Sequence, residues 1–483
     1  MKRLLSFVLV AAAAGCSAGS EPTSHESVPS PEAPNASAAH AASPEGAARA
    51  QTFVEARYKA SEVRHSFRSK LGQDIDCIDF AAQPGVKTLA ARGRAVVAPP
   101  ELPAIPSAFA TPAAHAEDET LDSRVAFAGD ADENGNARAC PEGTVPQVRI
   151  TADQVQRAGG VDGFRSRVHR KAPPKRVPPP DQYGDCEGDT PGYAHVVETL
   201  NTGYVSPIPG ASSTMAIYDA SIPSDPSAVY DHSISQTWLY NELQTLEVGW
   251  NVDGSLYDGD TNVPHLFIYS TDDDYQVTGC YNDWDWAFTG GSYDDAGDFV
   301  PGTCIPWVQV SKRYVPGMNL PANPAEAVNP RNSATLPKEL SLSTVQIGGN
   351  WWFVIQVAGG LPELLGYYDG TVINAPMTVY QSGGEVFDDT GLFTDPTLQM
   401  GSGQLPSKGQ GFAGYQRNYF ALVPGLGLDA GGPVVSDAYV CTTYIVGYTY
   451  SATPAPVSQQ QGPWLNYFYY GNDNQAAAAP QAQ

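Results

Sequence analysis

Beyond residue 190, apolar and polar positions alternate in short runs, which Gly, Pro, Asn and Asp separate. Alternation with a period of two predicts β-strands that bury one face. Gly348-Gly349-Asn350 predicts a hairpin turn between two of the strands. Many short strands without long helices between them predict an all-β fold, an antiparallel β-sandwich. The clearest runs are STMAIYDASI, LQTLEVGWNV, HLFIYST, STVQIGG, NWWFVIQVAG, PMTVYQSGGEVF and AYVCTTYIVGYTY.

Helical patterns occur in the N-terminal part of the chain. Apolar residues recur there at spacings of three and four, which predicts a helix that Gly72 ends. Thr151 and Gln154 have capping-box spacing and predict a second helix over 152–158. We therefore expect a smaller mixed α/β region over 47–170, preceding the sandwich. The apolar positions of the first helix are Phe53, Ala56, Ala60, Val63, Phe67 and Leu71.

The first 16 residues have the pattern of an export signal. Two basic residues precede an apolar run that is too short to span a bilayer. The ending AAGC resembles a bacterial lipoprotein signal, in which Cys16 is lipidated. Ordinary secretory cleavage after a small residue is the alternative, and in either case we expect export, to the envelope through the lipid or to the outside. Residues 17–46 are rich in Ala, Ser, Pro and Glu and predict a disordered tether.

A proline-rich linker, residues 171–185, separates the two predicted regions. The sandwich is expected over 186–470 and a disordered tail over 471–483. Between positions 149 and 176 there are eight Lys/Arg and two acids. This basic segment has two open interpretations. It is a solvated linker, or a strap that holds the N-terminal region on the acidic sandwich.

The formal net charge is -25, and it lies almost wholly in the sandwich. Residues 177–483 carry six Lys/Arg and 32 Asp/Glu. This excess of acidic residues excludes the extended basic surface that is typical of nucleic-acid-binding proteins. It also permits work at low pH, because protonation of carboxylates relieves their mutual repulsion.

Two glutamates interrupt apolar strands. In LEVGW, the face with Leu246, Val248 and Trp250 is the core face, so Glu247 lies on the other face with Gly249. In SGGEV, Glu385 likewise shares a face with Gly383. Glycine there lets another backbone approach, such as an extended peptide. The residues alone also allow exposed glutamates on a solvated sheet face.

Ordered motifs resemble the neprosin family of glutamic endopeptidases over roughly residues 50–450. The resemblance implies a β-sandwich peptidase made as a precursor, which cleaves on the carboxyl side of proline in acid. The family's catalytic glutamates fall on Glu247 and Glu385. Two departures concern the proline preference: Ser382 replaces a frequent tryptophan, and the segment 366–369 reads GYYD where GYWP is usual. The motifs are LEVGW, LYDGD, HLFIYST, TGCYN, GNWWF, LLGYYDG, GGEV and MGSG, with DIDCIDFAAQPG and CPEGTVPQVRIT before them.

Within this scheme, one ionised glutamate activates water and the other, protonated, donates to the peptide. Gln236 and Tyr415 are polar candidates for assistance, and Trp250 and Trp351 for apolar walls, although structural roles are open for all four. The expected partners are a proline-rich peptide substrate and the protein's own pro-region as an intramolecular inhibitor, in a monomer. Self-processing in the linker would release the catalytic part. A glycoside hydrolase and a non-catalytic carbohydrate- or peptide-binding sandwich remain alternatives.

The number of cysteines predicts disulfide bonds. Six remain besides Cys16, and an even number in an exported chain indicates disulfides. No CxxC pair or HExxH motif supports a metal site, and no cofactor is expected. Positions within the proposed domains suggest Cys280–Cys304 and Cys77–Cys140, and elimination leaves Cys186–Cys441.

Overall fold

A computed structural model shows two large β-sheets and a smaller N-terminal α/β region. The signal sequence, residues 17–42 of the tether and the linker lie outside the residues that it describes. The proposed Cys186–Cys441 bridge lies outside them too, because Cys186 is not described and only the backbone of Cys441 is. The described residues are 43–69, 71–94, 96, 101–109, 140–168, 192–201, 207–223, 231–257, 259–276, 278–284, 292–293, 299–300, 304–323, 338–357, 361–389, 393, 395, 397–409, 412–422, 439–442, 450–454 and 467–472.

The first large sheet has six antiparallel strands in the order β17-β4-β15-β6-β7-β8. Strand β6 lies at its centre, between β15 and β7. The bounds are β4 Tyr193–Asn201, β6 His232–Tyr240, β7 Thr245–Val252, β8 His265–Thr271, β15 Val379–Phe387 and β17 Tyr439–Thr442.

The second large sheet has eight antiparallel strands in the order β11-β14-β13-β12-β5-β16-β19-β18. A separate two-stranded sheet joins β9 (Ser292–Tyr293) and β10 (Phe299–Val300). The bounds of the eight strands are β5 Gly210–Ala216, β11 Trp307–Gln309, β12 Glu339–Ile347, β13 Asn350–Val357, β14 Glu363–Tyr368, β16 Gly414–Leu422, β18 Tyr450–Pro454 and β19 Tyr467–Asn472.

The two large sheets pack face to face. Trp250 of β7 is fully buried, and its Nε1 donates to the carbonyl oxygen of Ala216 in the other sheet at 2.9 Å. Tyr380 of β15 donates to the carbonyl oxygen of Ser212 at 2.8 Å. The apolar face of LEVGW therefore lies in the core between the sheets, as its alternation predicts. The predicted all-β sandwich is confirmed.

The predicted hairpin turn is also confirmed. β12 pairs with β13 through Ile347 and Asn350, and Gly348 and Gly349 form the two-residue loop between them. Their φ values are +58° and +87°. A two-residue turn with positive φ at both positions matches the twist of antiparallel strands, and glycine adopts it without steric cost.

The N-terminal region combines helices with a three-stranded antiparallel sheet, in the order β1-β2-β3. This confirms the predicted small α/β region before the sandwich. Four short 3₁₀ helices complete the described elements: Phe80–Ala82, Ser107–Phe109, Tyr281–Asp283 and Pro406–Lys408. The bounds here are α1 Pro44–Ser61, β1 Val63–Arg68, β2 Asp74–Asp79, α2 Pro84–Ala91, β3 Thr144–Val148, α3 Ala152–Arg157 and α4 Gly160–Val168.

The first predicted helix is wrong beyond residue 61. Helix α1 ends at Ser61, the following Glu62 adopts a left-handed conformation with φ +52°, and the chain continues as β1. The spacing of Val63 and Phe67 is compatible with a strand as well as with a helix. The segment forms a strand because it pairs with β2. The helix also begins earlier than expected, at Pro44 inside the predicted tether, where Ser43 accepts the amide of Gly46.

The second predicted helix is confirmed as α3. The Thr151 hydroxyl accepts the backbone amide of Gln154 at 3.0 Å, which satisfies one of the unpaired donors at the helix start. The same Gln154 side chain donates through Nε2 to the carbonyl oxygen of Leu256 in the sandwich, at 2.8 Å. Buried Arg57 of α1 donates to the carbonyl oxygen of Trp284 at 2.8 Å. Both helices therefore contact loops beside β7 and β8.

The rest of the N-terminal region packs on the second sheet. Ile78, Val86 and Leu89 share an apolar cluster with Trp352 and Val354 of β13. On β13 these two alternate with Trp351 and Phe353, which belong to the core between the sheets. The N-terminal region thus covers the outer face of the eight-stranded sheet.

Two glutamine side chains fasten this contact by pairing with sandwich backbone. Gln83 accepts the amide of Gln309 at 2.7 Å and donates to its carbonyl oxygen at 3.1 Å. Gln73 accepts the amide of Asn319 at 2.9 Å and donates to the carbonyl oxygen of Gly317 at 2.8 Å. These two side-chain amides therefore satisfy backbone N–H and C=O groups of the sandwich that water would otherwise have to satisfy.

Two predicted disulfides are confirmed. Cys77 is bonded to Cys140 inside the N-terminal region, and Cys280 is bonded to Cys304 inside the sandwich. Within the described ranges, no helix is long and apolar enough to cross a membrane.

Candidate functional site

Glu247 and Glu385 lie on the same face of the six-stranded sheet, on either side of β6. Glu247 pairs with Trp238, and Glu385 pairs with Ile234, four residues earlier on that strand. Standard strand geometry separates their backbones by roughly 10 Å across the sheet and roughly 13 Å along it. Both are buried, at 2% and 1% exposure, so the alternative of solvated surface glutamates is wrong.

Gln236 lies between the two glutamates, on the same face of β6. Its register partners are Gly249 on one side and Gly383 on the other, so its side chain stands between two positions without side chains. Nε2 donates to Glu385 Oε2 at 3.2 Å. Gln236 is fully buried, and within the described residues its Oε1 has no hydrogen-bond partner. A buried acceptor without a partner is unfavourable unless a ligand or water completes it.

Both glycines are required by the approach of neighbouring strands. A Cβ on Gly249 would lie 2.1 Å from the carbonyl oxygen of Ser235 and 2.7 Å from Gln236 Cα. A Cβ on Gly383 would lie 2.1 Å from the carbonyl oxygen of Val196. The backbone that fills the space is therefore that of the sheet itself.

Gly249→Ala is expected to destabilise the fold by about 1 to 3 kcal/mol, because the methyl group forces β6 and β7 apart. Urea unfolding at neutral pH measures the change. Gly254→Ala is the matched control, since its Cβ would meet no backbone or side-chain atom closer than 3.4 Å. Equal stability of the two variants would contradict the explanation.

Hydrogen bonds reach both oxygens of Glu385. His195 Nε2 lies 2.9 Å from Oε2, and His232 Nε2 lies 3.0 Å from Oε1. His195 is the register partner of Glu385 on β4. Both imidazoles are buried and stack on aromatic rings, His195 on Tyr193 and His232 on Phe387. Their packing holds the two rings in place around the carboxyl group.

Glu247 lies among aromatic side chains. Tyr275 donates its hydroxyl to Glu247 Oε1 at 2.6 Å. Burial, and then the charge of Glu247, raise the pKa of Tyr275 well above its usual value, so the phenol keeps its proton. Trp238 and Tyr269 are the register partners of Glu247 on the two neighbouring strands.

Three other predicted substrate-binding residues do not lie on the sheet face that carries the glutamates. Trp250 lies in the core between the sheets. Trp351 of β13 donates through Nε1 to the carbonyl oxygen of Ile373 at 3.2 Å. Tyr415 of β16 donates to Glu339 on the second sheet at 2.6 Å. Of the six predicted substrate-binding residues, Gln236, Gly249 and Gly383 share the face of the glutamates.

The sequence did not single out His195, His232 and Tyr275. His195 carries a weak signal, because it alternates with buried positions in YAHVVE, yet only the pairing of β4 with β15 brings it to Glu385. His232 begins β6 and Tyr275 lies in a loop after β8. Their contacts depend on strand neighbours that are distant in sequence.

One group of possible metal ligands converges within the ranges that the structure describes. It contains Cys280, Asp283 and Cys304. The two sulfurs are bonded to each other, so they supply no thiolate. The group therefore offers a single carboxylate, which is a poor metal site.

A protein-family model described as Neprosin matches residues 229–289 and 300–472, which include both glutamates. Solved structures give weak likenesses. One is the CBM2 module of the evolved Dit protein of Lactobacillus casei BL23 phage J-1, at 8% identity and a TM-score of 0.18, covering 42% of this chain and 57% of that one. Another is a β-porphyranase from the human gut bacterium Bacteroides plebeius, at 9% identity and 0.19, covering 45% and 71%. Scores this low carry no conclusion about function.

Proposed function

The chain belongs to the neprosin family, and from this premise we propose that it is a glutamic endopeptidase whose catalytic pair is Glu247 and Glu385. Family membership supports a peptidase-type function and disfavours the glycoside hydrolase and the binding sandwich. One observation carries the assignment: two buried glutamates lie on one sheet face, with an incompletely bonded glutamine between them. Buried carboxyl groups in such a setting are typical of catalysis.

The separation of the glutamates favours a substrate that lies between them. Carboxyl groups on β7 and β15 would flank an extended peptide above Gln236 and its two glycines. One carboxylate then removes a proton from water on one side of the scissile bond, and the other carboxyl group protonates the leaving nitrogen on the other side. This arrangement differs from a pair that shares one proton directly.

Gln236 would orient the attacking water. A water that donates one hydrogen to Glu385 and the other to Gln236 Oε1 completes the unpaired acceptor. Its lone pair then points away from both groups, toward the carbonyl carbon of a bound peptide. Such positioning lowers the entropic part of the barrier.

Proline preference is part of the proposal, and the chain departs from the family pattern at two places. Ser382 faces the core between the sheets, where its hydroxyl bonds Gln416. In the segment 366–369 the departing residues are Tyr368 and Asp369. Tyr368 of β14 is buried beside Trp307, with ring centroids 5.0 Å apart, and burial, followed by the charges of Asp283 and Glu247, raises its pKa above the usual value. The second departure therefore lies within electrostatic reach of Glu247.

The decisive experiment incubates acid-treated protein with quenched peptides that differ only in one proline. We expect cleavage on the carboxyl side of proline between pH 3 and 6. Absence of cleavage over this range would sink the peptidase proposal. Equal cleavage of both peptides would remove the proline preference and leave the peptidase proposal intact.

We also propose that the N-terminal region keeps the enzyme as a zymogen until acid releases it. The N-terminal region contacts the glutamate face indirectly. Gln154 donates to the carbonyl oxygen of Leu256, and the hydroxyl of the adjacent Tyr257 donates to Asn251 on that face at 2.8 Å. Ion pairs between the two regions include Arg94 with Asp369 at 2.9 Å. Acid weakens ion pairs in general, because a protonated carboxyl group carries no charge. We further propose that the protein is exported and that Cys16 is lipidated.

Cutting the linker is expected to leave the two parts associated at pH 7 and separated at pH 4. Their shared apolar contacts and glutamine bridges need no covalent link, and the disulfide Cys77–Cys140 lies within one part. A site for a specific protease inserted in residues 171–185, followed by gel filtration, measures this. Separation already at pH 7 would contradict the attachment, and co-elution at pH 4 would contradict acid release.

A further inference from the structure

The structure joins Glu385 to two histidines through both of its oxygens. His195 Nε2 and His232 Nε2 lie 2.9 and 3.0 Å from Oε2 and Oε1, and Gln236 Nε2 donates to Oε2 at 3.2 Å. His232 and Gln236 are fully buried, and His195 is 6% exposed. We call these two histidines and the carboxyl group between them the Glu385 clamp.

The contacts of the clamp fit an ionised Glu385. A carboxylate only accepts hydrogen bonds, so both imidazoles then carry their hydrogen on Nε2 and all three neighbours donate. A protonated Glu385 would have to reverse one contact and donate to a histidine. Hydrogen bonds to a charged acceptor are stronger than those between neutral groups, which favours the first arrangement.

We propose that His195 and His232 are positioning residues that hold Glu385 ionised and fixed, which makes Glu385 the general base and Glu247 the proton donor. The inference rests on the proposed peptidase function. It adds the division of roles between the two glutamates, which the strand pattern leaves open. Glu247 then takes the complementary role, and Tyr275, which donates to its Oε1 at 2.6 Å, holds its side chain in place.

Other titratable groups lie on the strands around the clamp. They are Tyr193 on β4, Asp231 before β6, Asp388 after β15 and Glu247 on β7. Asp231 and Asp388 are buried, and Asp231 Oδ1 accepts the amide of Asp389 at 2.8 Å. These groups are unchanged in histidine variants, so a comparison of variants isolates the clamp.

Removing one histidine donor is expected to move the acid limb of the kcat/KM profile upward by about one pH unit or more. Loss of a donor to the charged form makes Glu385 take up a proton at higher pH, and the base is then lost at higher pH. His232→Leu and His195→Leu remove the donor. His232→Gln and His195→Gln keep an N–H near the position of Nε2, so they should restore much of the wild-type profile.

A purely structural role predicts a different result, because loss of packing lowers activity without moving the limb and gives Gln no advantage over Leu. An unmoved acid limb in the Leu variants would overturn the proposal, and so would Gln variants that behave like the Leu variants. The profile is measured with the proline peptide on protein that is prepared from the full chain by acid treatment.

A second measurement needs no activity. In the full chain labelled with ¹⁵N-histidine, NMR should show the Nε2–H form for two imidazoles, and Glu385→Gln should shift both signals. If the peptide assay fails while these signals appear, the clamp stands and the peptidase proposal is wrong. If peptides are cleaved while Glu385→Gln shifts no imidazole signal, the clamp is wrong and the peptidase proposal stands.

Discussion

Glu385→Gln is expected to lower kcat on the proline peptide by roughly 10²- to 10⁴-fold, the range that general acid–base groups contribute. The change replaces the proposed base with a neutral group of the same shape. Glu247→Gln should cause a loss in the same range, because the leaving nitrogen then lacks its proton donor. Single-turnover cleavage between pH 3 and 6 measures both.

Glu198→Gln is the matched control for these variants. Glu198 is also a buried glutamate of the six-stranded sheet, on β4, but it faces the core beside Tyr419, away from Glu385. Its neutralisation should leave kcat within a few-fold of wild type. If the control loses as much activity as Glu385→Gln, the loss reports damage to the sheet and no catalytic role.

The pH profiles of the two variants separate the roles of the glutamates. Residual activity in Glu385→Gln should lack the acid limb, since no base remains to be protonated. Residual activity in Glu247→Gln should lack the alkaline limb, since no acid remains to be ionised. Exchange of the two results would reverse the assignment and retain the catalytic pair.

Much of the sheet architecture could be predicted because strand faces follow from alternation alone. LEVGW and SGGEV specify which side of β7 and β15 is apolar, and this places Glu247 and Glu385 opposite the core. It does not specify burial, since a face away from the main core can be solvated or covered. Only the structure shows that both glutamates are buried.

The site was less predictable because it depends on strand order. Gln236 lies between the glutamates since β6 is inserted between β7 and β15, although β15 follows β6 by more than 100 residues. His195 reaches Glu385 because β4 pairs with β15 on its other edge. Local patterns carry no information about such distant neighbours. The same limit explains the helix predicted through Phe67, where pairing with β2 overrides local spacing.

A second large effect concerns stability and pH. Burial raises the pKa of Glu198 from 4.5 to about 7, and a hydrogen bond with Tyr419 acts in the opposite direction. The folded protein therefore keeps a proton that the unfolded chain loses above its ordinary pKa. This contribution to stability is complete below pH 4.5 and is lost as the pH rises through 7.

The wild-type protein is expected to lose about 2 to 3 kcal/mol of unfolding free energy between pH 5 and 8 through Glu198 alone. Glu198→Gln should remove that part of the loss, because an amide does not ionise. Urea unfolding of both proteins at the two pH values measures the difference. Asp231, whose pKa burial also raises to about 7, lowers stability at pH 8 in both proteins and cancels in the comparison.

Glu242→Gln is the control for removal of one negative charge, because Glu242 is exposed in the loop between β6 and β7. Its pH dependence should follow the wild type, since relief of general repulsion in this acidic chain is small for one exposed charge. A Glu198→Gln profile parallel to both would mean that Glu198 ionises in the folded protein as it does in the unfolded chain. A flatter profile for Glu198→Gln alone would show that a carboxyl group in the core favours the acidic conditions in which we propose that the enzyme works.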